Sequence, residues 1–229
     1  MAPGLALIFD LDGVVVDSMP VHRIAWRNYL QSLGIGGEDL LARMHGRRND
    51  DIVMDFLGPS ADQEVVRKHG AAKERLYREL MRDGLEERLV PGVRGFLEQA
   101  AATPCGLASN AERPNIDFVL DCADLRRYFL VIVDGSQVER PKPAPDIYRL
   151  AARKLGVEPR NCIVFEDSPV GIAAARAAGA RVVGMLTHEH KFEDVALGVS
   201  GFLDPELVRW LSLQRPSPAQ RAADVPRPA

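Results

Sequence analysis

The 229-residue chain predicts an α/β fold with a parallel sheet. Two observations carry that expectation. Five short apolar runs read as buried strands, with helix-patterned segments between most of them. A long strandless stretch follows the first run. Apolar runs too short for a helix and bounded by turn or charged residues read as strands. Strands that alternate with helices form a parallel sheet covered on both faces.

The predicted strands cover residues 5–9, 106–108, 130–133, 162–165 and 182–185. Helical patterns cover residues 94–102, 115–122, 145–155 and 169–178. Pro143 and Pro145 suit the first turn of the third helix, and Gly156 its end; Gly179 stops the fourth. Residues 20–90 break this rhythm, being helical throughout. There His22, Trp26, Tyr29 and Leu33 recur at helical spacing, and residues 67–81 form a longer amphipathic segment. A helical unit is thus inserted after the first strand, with Val90-Pro91-Gly92-Val93 as the return hinge. The last residues, 214–229, are rich in Pro, Ala and Arg and read as a disordered tail.

Composition narrows the function classes. Hydrophobic residues make up 46% and charged residues 27%, as in ordinary globular proteins. A net charge of −3 gives no bulk attraction for nucleic acid or an anionic membrane. The cysteines are Cys105, Cys122 and Cys162, an odd number without a C-x-x-C pair, so reduced thiols are expected. No apolar run reaches the roughly 18 residues of a membrane span. Met1-Ala2-Pro3-Gly4 lacks the basic start of a signal peptide, so a cytoplasmic location is expected.

Ligands of open parallel sheets bind beyond the carboxyl ends of the strands. After the first strand comes Asp10-Leu11-Asp12-Gly13, after the second Ser109-Asn110, and after the fourth Glu166-Asp167-Ser168. Lys142 lies in the loop after the third. Clustered carboxylates raise one another's pKa unless a cation offsets them, and an all-oxygen set suits Mg²⁺. With such an ion one carboxylate can attack phosphorus while another handles a proton. Ser109 and Lys142 can hold phosphoryl oxygens. Alone, Glu166-Asp167 would serve equally to cap the next helix, and Lys142 would be a solvated loop residue. The combination at four strand ends favours chemistry.

These motifs resemble the haloacid dehalogenase-like superfamily. Phe9-Asp10-Leu11-Asp12-Gly13-Val14 with Asp17-Ser18 is similar to its first signature, and Ser109-Asn110 to its second. Lys142 in Lys-Pro-Ala-Pro-Asp-Ile-Tyr is similar to its third. Phe165-Glu166-Asp167-Ser168 followed by Gly171-Ile172 is similar to its fourth. The helical insertion resembles the α-helical cap of the subgroup containing phosphoglycolate phosphatase and β-phosphoglucomutase. The resemblance implies a Rossmann-like core of residues 1–16 and 92–213, a cap of residues 17–91 and the tail 214–229. It implies Asp10 as the nucleophile that becomes an aspartyl phosphate, and Asp12 as general acid and then base. Mg²⁺ would be held by Asp10, the Asp12 carbonyl and Asp167, with Glu166 as a ligand or just behind one. Ser109, Asn110 and Lys142 would bind phosphate.

Other candidates lie in the insertion. His22 stands where β-phosphoglucomutase-like proteins carry a histidine that couples cap closure to chemistry. Arg47, Arg48 and Asn49, in the polar segment 46–50, are candidates for reaching the substrate. The mutases have an arginine at the position of Asn49 and a lysine at that of Glu112. Both departures favour a phosphatase for a small phosphorylated metabolite over a sugar phosphomutase. A non-catalytic phosphate-binding or phospho-acceptor protein is the third reading. His188-Glu189-His190 reads as a loop, and Gly34-Ile35-Gly36-Gly37 follows a helix and does not fit a dinucleotide loop. A monomer or small homo-oligomer is expected.

Overall fold

Phe9 shows how the sheet is covered. It stacks on Phe165 of the neighbouring strand with ring centroids 4.7 Å apart. Together with Leu7 it faces one hydrophobic cluster, while the intervening Ala6 and Ile8 face another. That period of two in a fully buried segment is what a strand with two covered faces requires. The computed structural model describes residues 4–36, 49–188 and 191–214.

Six parallel strands form the sheet: β1 Ala6–Phe9, β2 Cys105–Ala108, β3 Val131–Val133, β4 Cys162–Glu166, β5 Arg181–Met185 and β6 Leu197–Val199. Their order is β3-β2-β1-β4-β5-β6, so the predicted parallel α/β architecture is present. In chain order the helices are α1 Met19–Ser32, α2 Asn49–Leu57, α3 Gln63–Met81, α4 Val93–Gln99, α5 Arg113–Cys122, α6 Asp146–Leu155, α7 Pro169–Ala178 and α8 Pro205–Gln214. One face of the sheet buries Val93 and Leu97 of α4, Ile116 and Val119 of α5, and Leu207 of α8. The other buries Ile147, Tyr148 and Ala151 of α6 with Ile172 and Ala175 of α7. Burying each large apolar side chain stabilises the fold by about 1.5–3 kcal/mol.

Several boundaries differ from the sequence reading. β6 was not among the expected strands, because it is three residues with Gly198 at its centre and carries no apolar run. The helix expected at 94–102 ends at Gln99. Helix α3 begins at Gln63, four residues early, where the Asp62 carboxylate accepts from the Glu64 and Val65 amides. Leu33 does not join the buried face of α1 and is 41% exposed; Val21, Ala25, Trp26 and Leu30 fill that face. Gln214 belongs to α8 and not to a tail, and residues 215–229 lie outside the described ones.

Helices α1–α3 have their own hydrophobic cluster, built on Trp26, Leu30, Ile52, Val53 and Val66. The two chain segments that lead into and out of them are paired. Val90 N–H donates to the Val15 carbonyl at 3.0 Å, and Asp17 N–H to the Arg88 carbonyl at 2.7 Å. Cys105 and Cys162 are buried free thiols, and Cys122 is an exposed one. No described helix is long and apolar enough to cross a membrane.

Candidate active site

The carboxyl end of β1 lies at the centre of the sheet, between β2 and β4. Asp10 extends it, its amide bonded to the Phe165 carbonyl of β4 at 3.1 Å. The chain then turns tightly. The amides of Val15 and Val16 return to the Leu11 carbonyl, and Gly13 adopts φ +73°. A Cβ on Gly13 would lie 1.8 Å from Asp167 Oδ2, so both backbone conformation and space demand glycine.

Asp10, Glu166 and Asp167 are buried together, with one carboxylate oxygen of each within 4.8 Å of the others. Lys142 is buried among them, its Nζ 3.1 Å from Asp10 Oδ1 and 2.6 Å from Glu166 Oε1. Burial pushes the Asp10 carboxyl up to about 7, even though Lys142 opposes it; Glu166, Asp167 and Asp12 push the same way as burial. Burial alone would lower the Lys142 ammonium, but Asp10 and Glu166 raise it above its ordinary value. A cation stays on Lys142, and the acids beside it carry a surplus of negative charge. An all-oxygen donor set with that surplus fits a hard divalent ion.

Glu166 is saturated by protein donors. Oε1 accepts from Lys142 Nζ and from the Tyr148 hydroxyl, each at 2.6 Å. Oε2 accepts from the Asp167 and Ser168 amides and the Ser168 hydroxyl, each at 3.1 Å. Ser168 also caps α7 by accepting from Gly171 N–H. A Cβ at Gly171 would come within 1.8 Å of Glu166 Oε1, so glycine is what lets α7 start against this carboxylate. The Tyr148 ring lies under Lys142, with Nζ 4.9 Å from its centroid.

Asp12 has different company. The Ser18 hydroxyl donates to Asp12 Oδ1 at 2.5 Å, and His22 Nε2 lies 3.6 Å from the same oxygen. Burial would raise this carboxyl, but His22, Ser18 and Lys73 together hold it below the ordinary carboxylate value. His22 stacks flat on Tyr77 with ring centroids 3.9 Å apart, and its Nδ1 lies 2.7 Å from Lys73 Nζ. Lys73 is buried and also donates to Glu74 at 2.8 Å.

Ser109 is buried after β2, its hydroxyl accepting from the Ala111 amide. The Asn110 side-chain oxygen faces the Lys142 amide at 3.5 Å. A cavity of about 640 Å³ opens between the strand ends and the helical insertion. Asp10, Asp12, His22, Asn49, Ser109, Asn110, Lys142 and Asp167 all line it. Asn49 donates to Glu112, which also lines the cavity. Arg47 and Arg48 lie outside the described residues. His188 stands in the loop after β5 and pairs with Asp17 at 2.8 Å; Glu189 and His190 are outside the described residues.

Sequence reasoning passed over Lys73, Glu74 and Asn115, and gave Tyr148 no role. One signal was available. The buried stripe of α3 runs Val66, Gly70, Lys73, Glu74, Tyr77 and Met81, and two charged residues on such a stripe need partners.

Comparison with known proteins agrees with this geometry. Residues 5–179 match the family model described as haloacid dehalogenase-like hydrolase. Fructose-1-phosphate phosphatase YqaB of Escherichia coli (strain K12) is 33% identical over 180 residues, 77% of this chain and 94% of that protein. The phosphorylated carbohydrates phosphatase of Thermotoga maritima is 36% identical over 189 residues, 79% of this chain and 85% of that protein. Among solved structures, a HAD hydrolase of family IA, variant 3, from Entamoeba histolytica superposes with a TM-score of 0.82 at 26% identity. It covers 92% of this chain and 99% of that one.

Proposed function

The chain belongs to the haloacid dehalogenase-like hydrolases and is a phosphomonoester hydrolase, and from that premise we propose how and on what it acts. It releases phosphate from a small phosphorylated sugar or polyol, with Asp10 as covalent nucleophile and Mg²⁺ as cofactor. Residues 17–91 are a cap over a core of residues 1–16 and 92–213. The enzyme is cytoplasmic, a monomer or small homo-oligomer.

The observation that carries this reading is the convergence of Asp10, Ser109, Lys142 and Asp167 on one cavity at the strand ends, which Asp12 lines as well. Lys142 Nζ stands 3.1 Å from Asp10 Oδ1, and Ser18 and His22 stand against Asp12 two residues on. Asp10 attacks phosphorus in line with the departing ester oxygen. Lys142 and Ser109 hold the phosphoryl oxygens, Lys142 by charge and Ser109 by hydrogen bonding. Asp12, a carboxylate before substrate arrives, takes up a proton when the anionic ester binds beside it and gives that proton to the leaving alkoxide. As a carboxylate it then takes a proton from the water that cleaves the aspartyl phosphate, so the acid form returns with each turnover. Asp10, Asp167 and the Asp12 carbonyl would hold the Mg²⁺. When bound, it would neutralise the clustered acids and supply Lewis-acid polarisation of the phosphoryl group. Glu166, its oxygens taken by Lys142, Tyr148, Ser168 and two amides, holds Lys142 in place and is not given to the ion.

The substrate class rests on the cavity and on the relatives. A space of about 640 Å³ lined by Asn49, Asp50, Glu112 and Arg113 offers hydrogen-bonding groups to a polyhydroxylated leaving group. Two relatives are named for phosphatase activity on fructose 1-phosphate and on phosphorylated carbohydrates. The test is release of inorganic phosphate from sugar and polyol phosphates, phosphoglycolate, nucleotides and an aryl phosphate, with Mg²⁺ and with EDTA. Mg²⁺-dependent release, fastest from a sugar or polyol phosphate, is expected. A nucleotide or phosphoglycolate as best substrate would overturn the substrate class. Isomer formation from a hexose 1-phosphate without free phosphate would replace the hydrolase with a mutase.

A further inference from the structure

The cap meets the core along a seam beside the reacting carboxylates, and buried polar side chains close it. Helix α3 of the cap runs across that seam. On the core side stands Asn115 of α5, 3% exposed. Its Nδ2 donates to Glu74 Oε2 at 2.6 Å, and its Oδ1 accepts from an Arg78 guanidinium N–H at 2.6 Å. Both ends of one core amide are therefore held by two α3 residues one helical turn apart. Asn49 of the cap makes a second crossing, donating to Glu112 of the core at 3.1 Å as well as to Glu74 Oε1 at 2.5 Å.

An amide bonded at both ends fixes register as well as distance. Sliding α3 by one residue, or rotating it, breaks both bonds and leaves Glu74 Oε2 buried without its donor, although Lys73 still bonds Oε1. The catalytic side of α3 begins at the adjacent residue. Lys73 donates to Glu74 Oε1 at 2.8 Å and reaches His22 Nδ1 at 2.7 Å, and His22 lies 3.6 Å from Asp12. The register that Asn115 imposes on α3 thus sets where Lys73 and His22 stand against Asp12. Asn115, Glu74 and Lys73 also line the cavity, so the seam and the site share one wall.

We propose that Asn115 is a positioning residue, the core half of a latch with Glu74 and Arg78 that docks the cap in one register whichever ester fills the cavity. The latch deepens the phosphatase reading and rests on it only for its kinetic readout.

Asn115→Leu removes both bonds at nearly constant volume. Asn115→Asp sets a carboxylate against Glu74 while keeping an acceptor for Arg78, and guards against a packing artefact of the first variant. In both, kcat/KM is expected to fall by on the order of 100-fold, by the same factor for an aryl phosphate and for the best ester. Adding Arg78→Met to Asn115→Leu is expected to cost little more, because the bond that Arg78 makes to Asn115 is already gone. Hydrogen exchange of the α3 amides is expected to speed up roughly tenfold or more, with β1, β2 and β4 unchanged. Parental kcat/KM with unchanged α3 exchange would overturn the proposal. So would lost activity accompanied by faster exchange throughout those strands, which would make Asn115 a residue of core stability. If the parent protein releases no phosphate from any ester, the functional reading fails, and the exchange comparison still decides the latch.

Discussion

Asp10 and Asp12 are two residues apart on one chain, yet they belong to two differently built regions. The region around Asp10 is made by the sheet alone. Asp10, Lys142, Glu166 and Asp167 follow neighbouring strand ends, and Tyr148, Ser168 and backbone amides bond Glu166 from within the same core. The region around Asp12 is shared: Ser18 and His22 come from the start of the insertion, and Lys73 from α3 across the seam. Charge follows construction. The core-only region concentrates acids and drives Asp10 up to about 7, chiefly through burial. The shared region holds Asp12 down through His22 and Ser18 and through Lys73 of α3. One half of the site is built by the sheet and its own helices; the other needs side chains of the inserted helices.

Experiments can break or sharpen that contrast. The largest effect is expected for Asp10→Asn, which should lower Mg²⁺-dependent phosphate release by at least about four orders of magnitude while the protein stays folded. Substantial turnover in that variant would sink the covalent mechanism. Asp12→Asn should lose about 10²–10⁴-fold, more for alkyl than for aryl phosphates, because good leaving groups need less proton donation. An equal loss on both would remove Asp12 from the leaving-group side.

Stability effects come next. Glu166→Gln breaks a buried ion pair on one side, so a urea titration should show a loss of about 3–5 kcal/mol. A variant as stable as its parent would show that Glu166 is not what secures Lys142. Asp10 itself should destabilise the metal-free fold at high pH. Its folded pKa lies above the ordinary 3.8, so its protonated form stabilises the fold fully below that value, and the contribution is lost as pH rises through about 7. In EDTA at pH 8, Asp10→Asn should therefore exceed the parent by on the order of 4 kcal/mol, a gap that narrows as pH falls below about 7 and closes only near the ordinary 3.8, or on adding Mg²⁺. No pH dependence in that gap would contradict the assigned environment. The smallest effect is expected for Ser18→Ala, about 1 kcal/mol for one lost hydrogen bond to Asp12. Asp12's own contribution runs the other way: its lowered carboxyl stabilises the fold above the ordinary value and loses that effect as pH falls through the lowered one.

How much was legible in the sequence divides along the same line. Asp10, Asp12, Ser109, Lys142 and Asp167 could be read directly, because each follows a short apolar run and strand ends in a parallel sheet converge. Strand β6 was not legible, since three residues around a glycine carry no periodic signal. The reach of Glu166 was half legible. Its place at the end of β4 could be read, but its saturation by Lys142, Tyr148 and Ser168 depends on how α6 and α7 lie against the sheet.

Local pattern thus determined the α/β class, the helical insertion after β1 and the acids at the strand ends, because alternation, turn residues and motif spacing are properties of adjacent residues. The tertiary structure alone decided that Lys73, fifty-one residues beyond His22, would stand against it, and that Glu74 would meet Asn115 forty-one residues further on. Such pairs depend on the register of one helix on another. That register is set by packing and by buried polar groups that must find partners, and neither is written in the neighbours of a residue.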